Sequence, residues 1–378
     1  MQTGFGPFVA VYLASEAWTQ RDIGAVLSLG TLAALLSQLP GGAAVDAVEN
    51  KRLAALLACL AVAGSALLLA VWPSRGPVMA AEVLHGFASC MLGPAIAAVS
   101  LRLVGRAGLG ERLGRNARFA AIGSGVAAAV MGWMGTWTGE ASVFWLTAAL
   151  MAPALLALRA VRQPPAALDP VADVQRAAWR LLLDRRLLAF ALCIGLFHLG
   201  NAAVLPLVAG DITRSSGRWA SMIIAACIIL PQALVALVSP AVGWAADRFG
   251  RRPLLLLALG ALPVRASLLA VVRDPAGIVM IQLLDGVSAA GLGVLMPLVA
   301  ADLTRGTNRF NLCMGALGLA VGVGATLSTV LAGAAADAFG QGVALMGLAG
   351  AGLAATALTF LVSETGIPSP LGARAAPV

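Results

Sequence analysis

Gly243-Trp244-Ala245-Ala246-Asp247-Arg248-Phe249-Gly250-Arg251-Arg252 separates two apolar stretches, near 219–243 and 253–272. A helix rises about 1.5 Å per residue, so each stretch is long enough to cross a hydrocarbon layer of about 30 Å. The segment between them is short and basic, as cytoplasmic loops are. It therefore predicts a tight turn between two transmembrane helices.

Similar apolar stretches fill the chain. Of its 378 residues, 60% are hydrophobic and 11% charged, and the mean hydropathy is +0.92. A water-soluble domain does not reach this composition. Twelve spans are predicted, near 1–14, 23–45, 53–72, 77–101, 119–137, 141–160, 187–210, 219–243, 253–272, 276–300, 311–336 and 341–363. The first would be about 21 Å long, too short to cross, and is predicted to be truncated.

The loops predict the domain organisation and the orientation. Residues 1–160 form an amino-terminal six-helix bundle and 187–363 a carboxy-terminal one, followed by a cytoplasmic tail, 364–378. In the linker, 161–186, a short amphipathic helix beginning near Asp169 is predicted on the membrane surface, with a plain flexible linker as the alternative. With both termini in the cytoplasm, the inner segments hold 19 of the 25 Lys and Arg residues. An inner-membrane protein is therefore predicted.

Several classes of function are disfavoured by the sequence. The net charge of +8 comes from short loops that form no continuous basic face, so no nucleic-acid partner is expected. The five cysteines lie in apolar runs without CxxC spacing and are predicted to be small buried hydrophobes, and no metal or cofactor is predicted. GxxxxGK[ST] is absent, which argues against ATP-driven pumping. No nucleophile with a base is evident, so the chain is not predicted to be an enzyme.

The two halves match each other at an offset near 200 residues. Leu84-His85-Gly86 aligns with Leu284-Asp285-Gly286. The other matches are Leu92 and Gly93 with Leu292 and Gly293, Asn116 and Phe119 with Asn308 and Phe310, Gly42 and Asp46 with Gly243 and Asp247, and Gln2 and Pro7 with Asn201 and Pro206. Their common order predicts a duplicated six-helix unit.

The segment 243–252 resembles the signature of the major facilitator superfamily between its second and third and its eighth and ninth helices. The first-half copy runs from Gly42 to Arg52 and is degenerate, with Glu49 where glycine is expected. The resemblance implies an all-α membrane protein with two pseudo-symmetric six-helix bundles. It also implies a secondary transporter that works by alternating access.

Two aspartates are predicted to close a latch, meaning a contact between helix ends that forms and breaks during transport. The glycine of each copy lets two helices approach, and Asp46 or Asp247 can accept hydrogen bonds from a helix N-terminus or an arginine. For the basic residues alone, a role only in orientation is equally open. The predicted gating residues are Asp46, Lys51, Arg52, Asp247, Arg248, Arg251 and Arg252.

Ionisable groups within the spans are costly and need an explanation. Arg265 and Asp285 are predicted to meet at the same depth, as a structural clamp or as a proton and substrate site. Glu82 and His85, at i and i+3, share a face as a proton acceptor or as a hydrogen-bonded pair. The resemblance implies that the first, fourth, seventh and tenth of the twelve predicted spans line a central cavity. Each polar residue could instead form a hydrogen bond between helices. The predicted substrate and proton site comprises Gln2, Glu82, His85, His198, Asn201, Arg265, Gln282 and Asp285.

These observations favour a monomeric, proton-coupled exporter of a drug-like or metabolite compound, with membrane lipids as its surroundings. The fifth span contains no proline, whereas antiporters of the superfamily often carry a Gly-Pro element there, which argues against proton-linked drug export. Uptake of a small organic nutrient is the alternative. A membrane sensor without transport is an alternative of another class.

Overall fold

The computed structural model describes residues 20–161, 180–208, 220–307 and 309–362, with isolated residues between 8 and 18 and at 212. Long α-helices dominate these residues. Their bounds are α1 Gln20–Ala47, α2 Lys51–Val71, α3 Arg75–Val104, α4 Leu109–Thr138, α5 Ser142–Ala160, α6 Arg185–Asn201, α7 Ala220–Phe249, α8 Arg252–Val271, α9 Pro275–Ile281, α10 Leu283–Leu303, α11 Phe310–Phe339 and α12 Gln341–Leu358.

The described residues contain 11 helices that are long and apolar enough to cross a membrane. Helices α9 and α10 count as one of them, interrupted at Gln282. The chain is therefore an all-α, polytopic membrane protein, as predicted. Most of the predicted first span, with Gln2, and the predicted linker helix from Asp169 lie outside the described residues.

Two helices extend well beyond their predicted spans. Helix α4 begins at Leu109 rather than near 119, and α7 continues to Phe249 rather than ending near 243. Hydropathy detects only the apolar part of a helix, so charged turns at the ends were assigned to loops. The turn after α7 is formed by Gly250, whose φ of +86° places it in the left-handed region, where glycine commonly ends a helix.

The chain divides into two compact units, each of which includes the first turns of a helix that continues in the other. Unit 1 contains the start of α11, and unit 2 contains the start of α4. The predicted division at the linker 161–186 stays a prediction. Unit 1 comprises Met1–Leu103, Ala120–Leu182 and Gly306–Gly322, and unit 2 comprises Val104–Phe119, Leu183–Arg305 and Val323–Val378.

Unit 1 has an apolar core that joins α1, α2, α3 and α5 to the residues preceding α1. Tyr12 is buried there, its ring 5.0 Å from that of Phe144, and its hydroxyl donates to the carbonyl of Leu69 at 3.0 Å. A Cβ at Gly86 would lie 2.8 Å from the carbonyl oxygen of Gly30. This glycine therefore allows α3 to cross α1 at close range.

In unit 2, α8 packs against α10 and α12, α7 against α10, and α6 against α12. A Cβ at Gly286 would lie 2.9 Å from the carbonyl oxygen of Pro231 on α7. Gly86 and Gly286, matched in the sequence, thus serve equivalent helix crossings in the two units. This agreement supports the duplication. The five cysteines are free and buried, as predicted for small hydrophobes.

Candidate functional site

The carboxylate of Asp46, near the end of α1, caps the first turn of α11. It accepts hydrogen bonds from the backbone N–H of Asn311 at 3.0 Å, the side-chain amide of Asn311 at 2.7 Å and the N–H of Leu312 at 2.7 Å. The first N–H groups of a helix have no partner within it and attract negative charge. Asp46 is 5% exposed, so these three bonds satisfy a buried carboxylate. We call this contact the α1–α11 latch.

Asp247, near the end of α7, makes the corresponding contact with α4. It accepts a hydrogen bond from the backbone of Glu111, in the first turn of α4, and its Oδ1 lies 3.2 Å from Nη1 of Arg251. We call this contact the α4–α7 latch. Both predicted aspartates therefore face a helix N-terminus, the geometry that a latch requires.

The residues facing the latches correct the predicted repeat in this region. A Cβ at Gly42 would collide with the carbonyl oxygen of Asn311, and one at Gly243 with that of Gly110. Residues 110 and 311 are thus equivalent, at the same offset of 201 as Gly42 and Gly243. The match of Asn116 and Phe119 with Asn308 and Phe310 is wrong. In addition, Asn116, which precedes the predicted fifth span, is helical.

The structure separates the roles of the paired basic residues. Lys51 donates to the carbonyls of Val45 and Asp46, both at 2.8 Å, and so closes the end of α1. Arg251 likewise bonds the carbonyl of Ala246 at the end of α7. A cation at a helix C-terminus is favourable. The first residue of each pair therefore supports the helix that carries the aspartate.

The second residue of each pair contacts the last helix of its half. Arg52 donates to the carbonyl of Val161 at 3.0 Å, after α5, and Arg252 donates to that of Val362 at 2.8 Å, after α12. These contacts indicate an anchoring role more than gating. Arg248, whose guanidinium lies 5.5 Å from the ring centre of Trp244, stacks on an exposed aromatic side chain.

Sequence reasoning missed two partners. Asn311 supplies two donors to Asp46, and Asp302, at the end of α10, accepts from Nε of Arg251 at 3.3 Å. An offset of 201 from Gly110 would have identified Asn311. Nothing in the local sequence marks Asp302, because its partner is 51 residues away.

Arg265 gathers three of the predicted polar residues in unit 2. Its Nη1 donates to Asp285 at 2.5 Å and to Asn201 at 2.7 Å, and its Nε donates to Gln282 at 2.8 Å. The Arg265 side chain is 3% exposed and that of Asp285 is 31% exposed. The predicted pair is confirmed, and it ties α6, α8 and the α9–α10 junction together. A buried guanidinium with three acceptors fits a clamp, whereas the partly exposed carboxylate fits a binding site.

His198 is not directly bonded to this cluster by any contact that the structure specifies. Its Nδ1 lies 2.9 Å from the carbonyl oxygen of Ile194, one turn earlier in α6, and its ring packs on that of Phe197. The contact is internal to the helix. It is therefore not the hydrogen bond between helices that the alternative predicted, and a role of His198 at the substrate site stays a prediction.

Glu82 in unit 1 is a buried acid without a compensating cation among the described residues. It is 7% exposed, and its Oε1 has no hydrogen-bond partner in the described part of the chain. The carboxyl lies against α1, where a Cβ at Gly30 would collide with Oε2. At an offset of 200, Glu82 and His85 correspond to Gln282 and Asp285. The position of the clamp arginine is occupied by a serine, so unit 1 contains the acid without the guanidinium.

In the described part of the chain, no group of three His, Cys, Asp or Glu residues is arranged to hold a metal ion. The contacts described above make up the candidate site: two helix-end latches, the Arg265 cluster and the buried Glu82.

Comparisons with known proteins agree with this architecture. The family profile of the Major Facilitator Superfamily matches residues 1–235. An uncharacterized MFS-type transporter of Mycobacterium tuberculosis, found in two strains, is 32% identical over 96% of this chain and 89% of the relative.

Solved structures with low sequence identity show the same fold. The fucose:proton symporter of Escherichia coli covers 94% of this chain and 94% of its own, with a TM-score of 0.75 and 13% identity. The match to a proton:xylose symporter covers 96% of this chain and 91% of the symporter, with a TM-score of 0.75 and 13% identity. The match to a human organic anion transporter covers 93% of this chain and 88% of that transporter, with a TM-score of 0.66 and 15% identity.

Proposed function

The chain belongs to the major facilitator superfamily, and from that premise we propose that it is a proton-coupled secondary transporter that moves a small organic solute by alternating access. The substrate is an organic compound of drug or metabolite size. The protein works as a monomer in the inner membrane, with both termini in the cytoplasm. The proposal assigns it no chemical reaction.

The two latches carry this proposal. Each places an aspartate from the end of one helix against the first turn of a helix whose remainder lies in the other unit. Such contacts consist of a few directed hydrogen bonds and are stable only in register, so they suit an equilibrium between two arrangements. The glycines Gly42 and Gly243 permit the close approach. Repetition of the device supports alternating access.

Glu82 is the residue that we propose to bind the proton. A buried carboxylate without a cation is costly in a membrane, and binding a proton removes that cost. Asp285 is a weaker candidate because Arg265 already neutralises it. Loss and gain of a proton at Glu82 would therefore change the contact between α3 and α1.

Export is the preferred direction, with proton entry driving efflux. Uptake is the second candidate function, favoured by the observation that two structures with the same fold are named as sugar:proton symporters. A sensor without transport is the remaining alternative. It would bind a solute without moving it.

Purified protein in proteoliposomes tests the proposal. Uptake and efflux are followed across a compound panel, with and without a pH gradient. We expect gradient-dependent flux of at least one compound, and loss of that dependence in Glu82→Gln. Glu49→Gln, at an exposed carboxyl in the turn after α1, is the matched control. Wild-type flux that is independent of the pH gradient would refute proton coupling. Absence of flux for every compound would favour the sensor without transport.

A further inference from the structure

We propose that unit 1 contains an apolar solute site that is separate from the proton site at Glu82, and that it takes an uncharged, largely apolar compound. The site is a cavity of about 530 Å³ between α1 and α3. Apolar cavities of about 300–1,000 Å³ are typical of small-molecule sites. This inference rests on the proposed transport function and adds the class of the substrate.

The chemistry of the cavity defines this class. Its sides are Leu29 on α1 and Met79, Val83, Leu84 and Phe87 on α3, and Ser37 is the polar side chain among the lining residues. A sugar requires several converging donors and acceptors, and its hydroxyl groups would remain unsatisfied here. None of the lining side chains is charged, so a cation would have no counter-charge in direct contact with it. One hydroxyl suits a compound with an apolar body and a single acceptor.

The geometry of α3 separates the cavity from the proposed proton site. Met79, Val83 and Phe87 are spaced by four residues and share one face, and each is more than a third exposed. Glu82 lies about 100° around the helix from Val83. Its carboxyl faces Gly30 of α1, whereas Leu29 and Ser37 form the α1 side of the cavity. The two sites therefore share two helices but no side chain.

This arrangement predicts indirect coupling between proton and solute. Protonation of Glu82 changes the α1–α3 contact, and the same two helices form the cavity, so the proton alters the solute site without touching the solute. His85 lies one turn along α3, and Tyr12 and Glu16 are the described titratable residues on the chain preceding α1. On α1 the described contact is with Gly30, and at the equivalent of Arg265, α2 carries the buried Ser65.

The test measures binding to the full chain in lipid nanodiscs, with empty nanodiscs as the blank. The probes are radiolabelled triphenylphosphine oxide, which is uncharged with one acceptor, and tetraphenylphosphonium, a cation of similar aryl bulk. We expect saturable binding of the uncharged probe and about tenfold weaker binding of the cation. Fucose and xylose should not compete.

Variants assign the site. Phe87→Ala should weaken binding of the uncharged probe about tenfold because it removes apolar contact area. Val83→Ala provides a second, milder change on the same face. Phe339→Ala, at an exposed phenylalanine that ends α11, is the matched control and should leave the affinity unchanged. Glutamine mimics the protonated acid, so Glu82→Gln should match the wild-type affinity within about twofold only at a pH where wild-type Glu82 is protonated. It should abolish the pH dependence of both probe binding and flux.

Four results would overturn the inference. They are binding no greater than in empty nanodiscs, insensitivity to both cavity variants, preference for the cation, and a loss in Glu82→Gln as large as in Phe87→Ala. Displacement of the probe by fatty acyl chains alone would instead assign the cavity to lipid. Failure of the transport proposal gives a different result. Saturable probe binding without any flux would support the solute site and refute the transport function.

Discussion

Replacing Asp46 by asparagine tests the α1–α11 latch. The carboxylate accepts three hydrogen bonds, at 3.0, 2.7 and 2.7 Å, and is 5% exposed. An amide retains one acceptor oxygen, and its NH2 group would point at donors. Hydrogen bonds to a charged group contribute about 1.5–3 kcal/mol each. After partial compensation, we expect a loss of about 2–3 kcal/mol in the latched arrangement.

A loss of that size shifts the equilibrium between latched and open arrangements by about 30- to 150-fold. Glu49 and Thr307 are exposed positions next to the two ends of the latch. Spin labels placed there report the shift as a change in the distance distribution measured by electron paramagnetic resonance. Asp46→Asn should transfer population to longer distances. The shift should not depend on solute.

Asp22→Asn is the control for this experiment. Asp22 lies on the same helix and pairs with Arg75, whose side chain is 72% exposed. Exposed pairs contribute little, so the distance distribution should stay as in the wild type. If Asp46→Asn behaves like this control, the reasoning about the latch is refuted.

Three further predictions concern the second latch, the clamp and the close helix approach. Asp247→Asn should shift the same equilibrium less than Asp46→Asn, because its side chain is 27% exposed, and equal probe accessibility from both sides before and after would count against the latch. Asp285→Leu should destabilise the protein by about 3–5 kcal/mol in thermal unfolding because it strands a buried guanidinium, and adding Arg265→Met should restore stability. If the double variant recovers flux, the Arg265–Asp285 pair is a structural clamp. If flux stays lost although stability is restored, the pair belongs to the proton and substrate site. Gly42→Ala should open the α1–α11 latch in the spin-label assay, whereas Gly93→Ala, where a Cβ meets nothing within 4 Å, should be neutral or stabilising by up to about 1 kcal/mol.

Much of the fold followed from local patterns. Apolar runs located the membrane helices, since a span must be continuous in sequence to satisfy its backbone. Helix ends were less predictable: α4 starts in a charged turn that hydropathy does not detect. The Arg265–Asp285 pair was predictable from the depth of each residue in the membrane. Two long antiparallel helices place residues of equal depth side by side. The partners Asn201 and Gln282 were not assigned to it, because amides carry no charge that requires one.

The sequence alone indicated a duplicated membrane protein of the major facilitator type, and it identified the aspartates Asp46 and Asp247, because hydrophobic length, repetition and a motif with fixed spacing are properties of neighbouring residues. Tertiary structure decided what those residues do. Asn311 reaches Asp46 across 265 positions, and Arg52 anchors the end of α5. Glu82 faces Gly30 beside an apolar cavity. These contacts depend on how helices cross, and crossing is set by packing between distant segments that no local pattern records.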